Sequence, residues 1–142
     1  MKRMSVDAKV CTTCRLCEIT CSMAHSGGIV NPRKSRVQVR EDPINGLGQP
    51  AVCRQCAQPK CVEACHYYAI HQDETLGNPV IDASKCRGRA CLDCVRACPY
   101  GAMFYDPDEA APVVCDLCGG DPACIRFCRA YPHLPHAALR HL

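Results

Sequence analysis

Apolar and polar residues alternate most cleanly around Val37 and Val39, which are interleaved with Arg36, Gln38 and Arg40. A period of two puts the valines on one face of a strand and leaves the other face wet. A partner strand is expected near Pro50-Ala51-Val52, across the loop DPINGLGQ. A second strand pair is expected between Cys65 and Cys86, where 20 residues leave room for strand, turn and strand. In ETLGNPVIDASK, Gly77-Asn78-Pro79 punctuates the chain and Val80-Ile81 begins a strand. The stretches VRACPYGAM and IRFCRAYPH are expected to form helices of one to two turns. No apolar run approaches the roughly 20 residues that a membrane helix needs.

These elements are short, and the composition explains why. A chain of 142 residues makes one domain or two very small ones. It has no Trp, two Phe and five Tyr, and 16 of its residues are cysteine. An ordinary apolar core would be thin, so something other than side chains must help fill it. The N-terminus, MKRMSVDAKVC, is charged and lacks the apolar stretch of a secretory signal or a twin-arginine pair. The expected setting is cytoplasmic, without direct membrane insertion. In a reducing cytosol a dense cysteine pattern means metal binding or redox chemistry more often than disulfides.

The cysteines fall into four groups of four. They are Cys11, Cys14, Cys17, Cys21; Cys53, Cys56, Cys61, Cys65; Cys86, Cys91, Cys94, Cys98; and Cys115, Cys118, Cys124, Cys128. None is left over, and each group closes with three residues between its last two cysteines. This internal repeat organises the whole chain. A rigid run such as CTTCRLCEITC makes poor disulfide partners. A structural zinc site usually takes two cysteine pairs well apart in sequence. Crowded runs suit a cubane instead, whose irons each want one thiolate. The bacterial iron–sulfur run ends in Cys-Pro, and Cys98-Pro99 supplies that ending. The pattern implies four [4Fe–4S] clusters.

In two-cluster ferredoxins the fourth cysteine of each run ligates the other cluster. Groups two and three, joined by the strand–turn–strand segment, form one module, and groups one and four close a second around it. The expected ligand sets are Cys11, Cys14, Cys17 with Cys128; Cys53, Cys56, Cys61 with Cys98; Cys86, Cys91, Cys94 with Cys65; and Cys115, Cys118, Cys124 with Cys21. The fold class is α+β: two interleaved bacterial-ferredoxin-like modules, 53–103 inside and 1–52 plus 104–142 outside. Each half has too little apolar surface to fold alone, so metal binding is coupled to folding.

All sixteen cysteines, CPYGA at 98–102 and CDLCGGDPAC at 115–124 resemble the four-cluster iron–sulfur subunits of the DMSO-reductase type. NPRKSRVQV at 31–39 resembles the segment after the first motif in the shorter members. Those include the small subunits of tungsten aldehyde oxidoreductase and benzoyl-CoA reductase-like complexes. The chain departs from that pattern where His66 follows Cys65, where Arg129 follows Cys128, and in the opening CRGRAC of group three. The resemblance implies a non-catalytic electron-transfer subunit. One partner would be a tungsten or molybdenum enzyme of the aldehyde oxidoreductase type. The other would be a flavin or NAD-binding subunit, or a ferredoxin. A free polyferredoxin is the alternative, as is a hydrogenase, formate dehydrogenase or CO dehydrogenase subunit. A zinc-stabilised interaction module is the alternative of a different class.

Charge is read with the metal included. The formal charge is +3, and four oxidised clusters of about −2 each, thiolates counted, shift it to about −5. Arg15, Arg54, Lys60, Arg87, Arg89, Arg96, Arg126 and Arg129 are then candidates for local compensation. The basic run Arg33, Lys34, Arg36 lacks interleaved aromatics, so a loop or subunit contact is expected rather than nucleic acid. The histidines His25, His66, His71, His133, His136 and His141 show no fixed ligand spacing, and surface roles are expected for them. Tyr67 and Tyr68 are expected to pack. No nucleophile–base pair and no GxGxxG fingerprint stand out.

Overall fold

In a computed structural model, residues 3–129 and 132–142 are described. The order of elements is β1 (Met4–Val6), α1 (Leu16–His25), β2 (Val37–Glu41), β3 (Gly48–Val52), α2 (Lys60–Glu63), β4 (Ile70–Gln72), β5 (Pro79–Ile81), α3 (Asp93–Ala97), β6 (Met103–Phe104), β7 (Val113–Val114), α4 (Ala123–Phe127) and β8 (Leu139–His141). The strands form four separate antiparallel pairs, β1–β8, β2–β3, β4–β5 and β6–β7. The architecture is α+β, with short strands and short helices.

β2 and β3 form where the alternation placed them, with Val37 opposite Val52 and Val39 opposite Pro50. Both valines are buried. The connecting loop is shorter than DPINGLGQ, because Gly48 and Gln49 already pair with Glu41 and Arg40. β4 and β5 confirm the second expected hairpin, with Ile70 opposite Ile81. The nested pair β1–β8 joins the two ends of the chain, Val6 opposite Leu139. Met4 and Leu139 are almost fully buried there, and apolar burial of this kind is what closes such a distant contact.

The helices differ from the sequence expectation. VRACPYGAM is not one helix: α3 ends at Ala97, Cys98 is extended, and Met103 already belongs to β6. The cause is Cys98-Pro99, since the residue before a proline is driven out of helical conformation. In IRFCRAYPH the helix stops at Phe127, and Cys128 is extended; residues 130–131 of that stretch lie outside the described residues. Both helices therefore lie before the closing cysteine rather than after it.

Cysteines replace much of the usual core. Cys17, Cys21, Cys53, Cys61, Cys94, Cys115 and Cys124 are buried and pack with Val37, Val52, Met103, Leu117 and Leu139. Two buried polar side chains tie the segments together. The Gln55 carboxamide accepts from the Met4 N–H at 2.8 Å and donates to the Cys53 carbonyl at 2.9 Å. The Glu18 carboxylate on α1 accepts from the Val39 N–H at 2.5 Å and from Arg15 at 3.0 Å.

Candidate iron–sulfur sites

Each group of cysteines uses the same backbone device at its first thiol. Thr13, Gln55, Gly88 and Leu117, two residues after Cys11, Cys53, Cys86 and Cys115, all have positive φ, from 47° to 57°. This left-handed turn aims an N–H back at the sulfur. Gly88 and Leu117 donate to Cys86 Sγ and Cys115 Sγ at 3.3 and 3.4 Å. The N–H groups of Thr13 and Gln55 serve Cys11 and Cys53 in the same way. Left-handed conformation costs a non-glycine residue roughly 1–2 kcal/mol, and a hydrogen bond to a charged sulfur offsets it.

The closing cysteines are served from strand edges and the loops before them. Cys21, Cys65, Cys98 and Cys128 accept from the N–H groups of Arg36, Ala69, Ala102 and Leu139 at 3.2–3.4 Å. Between first and last thiols two loop types recur. Groups one and three turn through left-handed Arg15 and Leu92 straight into α1 and α3. Groups two and four use a longer loop ending in Pro59 or Pro122 at the helix N-cap.

Cys53, Cys56, Cys61 and Cys98 line one cavity. Cys11, Cys14, Cys17 and Cys128 line a second. Cys65, Cys86, Cys91 and Cys94 line a third. The remaining four gather electrostatically: charges on Cys21 and Cys118 raise the Cys124 thiol, and Cys124 and Cys21 raise Cys115.

Burial pushes Cys53 and Cys124 up to about 12 and Cys94 up to about 11, with neighbouring thiols adding to the rise. Such thiols are poor thiolates unless a cation lies among them. All sixteen are free of disulfides. The donor set and the inward N–H groups fit [4Fe–4S] clusters, and sixteen cysteines fit four of them.

The surroundings differ among the sites. Arg54 lies over the Tyr100 ring at 5.0 Å and Arg87 over the Tyr67 ring at 4.9 Å, and each pair lines its own cavity. Tyr67 is 44% exposed beneath Arg87, and Tyr68 is 87% exposed and left-handed, so neither packs into the core. Lys60 and Arg129 also line cavities. Arg15 lines a cavity and pairs with Glu18 and Glu41. Arg96 and Arg126 pair with Asp93 and Asp121 instead. Arg89 is exposed. In the basic run, Lys34 holds Asp106 at 2.6 Å and Arg36 holds Asp116 at 3.0 Å, so these two charges are met within the chain.

His25 is placed by the sequence reading among surface histidines, and it is not one. Its side chain is 12% exposed. Nδ1 lies 3.7 Å from Cys21 Sγ and Nε2 lies 3.1 Å from Asp116 Oδ1. Asp116 and Cys21 hold the imidazole's pKa up at about 10 against burial. Burial raises Cys21, but His25 and the Arg36 N–H more than offset it, leaving this thiol below its ordinary value. The ligand atoms of His25, Asp116 and Cys118 fall within 4.8 Å of one another. The available signal was the four-residue step from Cys21 to His25, which puts both on one helix face.

A profile described as a 4Fe-4S dicluster domain matches residues 44–133. The chain belongs to this 4Fe-4S dicluster family. It is a ferredoxin-like iron–sulfur electron-transfer protein. The family match takes in cysteine groups two to four, and group one precedes it. The polyferredoxin-like subunit of an aliphatic sulfonate oxidoreductase from Pyrococcus furiosus is 41% identical over 87% of this chain and 69% of its own length. The beta subunit of an NADH-dependent phenylglyoxylate dehydrogenase from Aromatoleum evansii is 36% identical over 98% of this chain. The chain spans 30% of the length of that second relative. Among solved structures, the active-site complex BamBC of benzoyl coenzyme A reductase aligns over the whole chain and 78% of its own, with TM-score 0.56 and 27% identity. Among the described residues no helix is long and apolar enough to cross a membrane.

Proposed function

We propose that this chain is the electron-transfer subunit of an oxidoreductase complex, carrying electrons between a catalytic subunit and a second redox partner. The observation that carries the reading is that thiols of all four sets pack into one buried core. Burial pushes Cys17, Cys115 and Cys94 up, and the charges of Cys124, Cys53 and Cys61 in the neighbouring sets add to the rise. This neighbourhood supports a single row of sets. Its order is Cys11/Cys14/Cys17/Cys128, then Cys21/Cys115/Cys118/Cys124, then Cys53/Cys56/Cys61/Cys98, then Cys65/Cys86/Cys91/Cys94. In this reading each set ligates one cluster, residues 53–103 make the inner module, and 1–52 with 104–142 make the outer one.

Bound [4Fe–4S] clusters supply centres that each exchange one electron. The protein's part is to hold them in line, exclude water and set their potentials through N–H···S hydrogen bonds and nearby charge. Kinship with subunits of an aliphatic sulfonate oxidoreductase and a phenylglyoxylate dehydrogenase supports an oxidoreductase partner. The likeness to benzoyl coenzyme A reductase BamBC, with the resemblance in sequence, favours a tungsten or molybdenum enzyme of the aldehyde oxidoreductase type. A flavin or NAD-binding subunit, or a ferredoxin, would take the other end.

The test is Cys14→Ala in the complex isolated anaerobically. Cys14 is an exposed thiol at one end of the row. Oxidation of the catalytic subunit's substrate with an artificial dye is expected to persist, while activity with the physiological acceptor falls steeply. Equal loss of both, with assembly and the catalytic cofactor intact, would place the chain in the chemistry itself and remove the wire reading.

A further inference from the structure

A cleft of about 360 Å³ opens between the β1–β3 side of the molecule and the loop after Cys98. Arg40, Arg54, Pro50, Pro99, Tyr100 and Gly101 are among its walls, and no acidic residue lines it. Seven other cations, Arg15, Lys34, Arg36, Lys60, Lys85, Arg96 and Arg126, have a carboxylate within 4.0 Å. Of the described cations that have none, Arg40 and Arg54 are the two that line this cleft. Arg40 donates to the Gly101 carbonyl at 3.1 Å. Arg54 lies over the Tyr100 ring, and its Nε is buried without a partner. Gly101 makes the arrangement possible: a Cβ there would meet Arg40 Nη1 at 2.7 Å. Two guanidiniums are thus held against a recess that offers them no counter-charge.

We infer that this cleft receives an acidic side chain of a redox-partner protein and fixes that partner against the row of cysteine sites. The inference rests on the electron-transfer reading above and names where a partner docks. The cleft shares Arg54, Pro99 and Tyr100 with the cavity of Cys53, Cys56, Cys61 and Cys98. It shares Pro50 with the cavity of Cys11, Cys14, Cys17 and Cys128. A carboxylate seated here brings its bearer against the walls of two sites at once. Charge complementarity selects an acidic partner surface. The loaded chain carries about −5 in total, so an unpaired arginine couple is a local positive spot in a negative field. Such a spot orients an encounter more than it adds affinity.

Arg40 is exposed and lines no cysteine cavity, which makes it the residue to reverse. The measurement is stopped-flow oxidation of the reduced iron-loaded chain by two one-electron acceptors. Tris(oxalato)cobaltate(III) is a trianion that presents carboxylates, and hexaamminecobalt(III) is a trication. At low ionic strength Arg40→Glu is expected to slow the oxalato complex by at least about fivefold and not to slow the ammine complex. The gap should close in high salt, where the Debye length falls to about 3 Å. Arg40→Gln should give an intermediate effect and guards against a folding defect in the reversal. An equal response to both oxidants, or none, overturns the proposal. So does inorganic phosphate that blocks the oxalato complex at constant ionic strength, because the cleft would then be a free-anion site. A chain purified without iron would defeat the electron-transfer reading itself, whereas full iron with an indifferent Arg40→Glu defeats only the docking site.

Discussion

Arg54 and Arg87 follow the first cysteines of groups two and three, while Thr12 and Asp116 hold the same step in groups one and four. In the inner pair each arginine stacks on the tyrosine two residues past the cysteine that closes the other group, Tyr100 or Tyr67. In the outer pair Asp116 turns inward and gathers His25, Arg36 and the Cys118 N–H. The thiol template is the same fourfold device in both. What differs is the charge dressing: cation–aromatic lids inside, a half-buried His–Asp–Arg network outside. The lesson is that one residue next to a ligand decides whether a site is dressed for the surface or for the interior. Ligand number is a property of the cysteines, whereas potential and partner face belong to their neighbours.

That contrast is broken most strongly at Asp116. Asp116→Ala strips three partners at once and leaves His25 and Arg36 without their counter-charge. A loss of roughly 3 kcal/mol is expected, seen as faster bleaching of the iron–sulfur absorption on heating. Arg87→Ala removes only an exposed cation–π contact and should cost about 0.5–1 kcal/mol. Comparable losses in the two variants would erase the distinction between the pairs.

Lys34 and Asp106 give the outer half a second anchor, and this one depends on pH. Lys34 holds the Asp106 carboxyl below its ordinary value of 3.8. A depressed carboxyl stabilises the fold above its unfolded pKa and loses that contribution as pH falls through the folded one. Asp106→Asn should therefore destabilise by about 2 kcal/mol at neutral pH, read from bleaching on heating. The gap to the parent should narrow as the pH drops below about 3.8. A gap that widens in acid would mean the carboxylate is not what Lys34 stabilises.

One small effect should run the other way, in the inner half. Tyr68 and Gly101 both lie three residues after a closing cysteine, and both are left-handed, at φ 53° and 56°. Glycine is at ease there and tyrosine is not, and Tyr68 is 87% exposed. Tyr68→Gly should stabilise by about 1 kcal/mol. A loss instead would show that Tyr68 contributes packing its exposure does not reveal.

Much of this was legible before the structure. Val37 and Val39 announced β2 because a two-residue period has one physical reading, and Gly77-Asn78-Pro79 marked the β4–β5 turn. The nested pair β1–β8 was not legible, since three residues at each end carry no periodicity and only the burial of Met4 against Leu139 selects them. The helices were misplaced because the pattern ran through cysteines that are both core and ligand. Extended Cys98 and Cys128 stop the helices where a thiol must turn aside. The four cysteine groups stood out at once. The Arg–Tyr lids and the Arg40 cleft did not, because each joins residues from different groups and spacing carries no signal for contacts between segments, and His25 was marked only by its four-residue step from Cys21.

The central claim is that sixteen thiols hold four cubanes. Iron and acid-labile sulfide, counted on the anaerobically purified chain, test it most directly. The account predicts about 16 of each per chain. Zinc in place of iron, or about 8 iron with half the thiols open to alkylation, would contradict it.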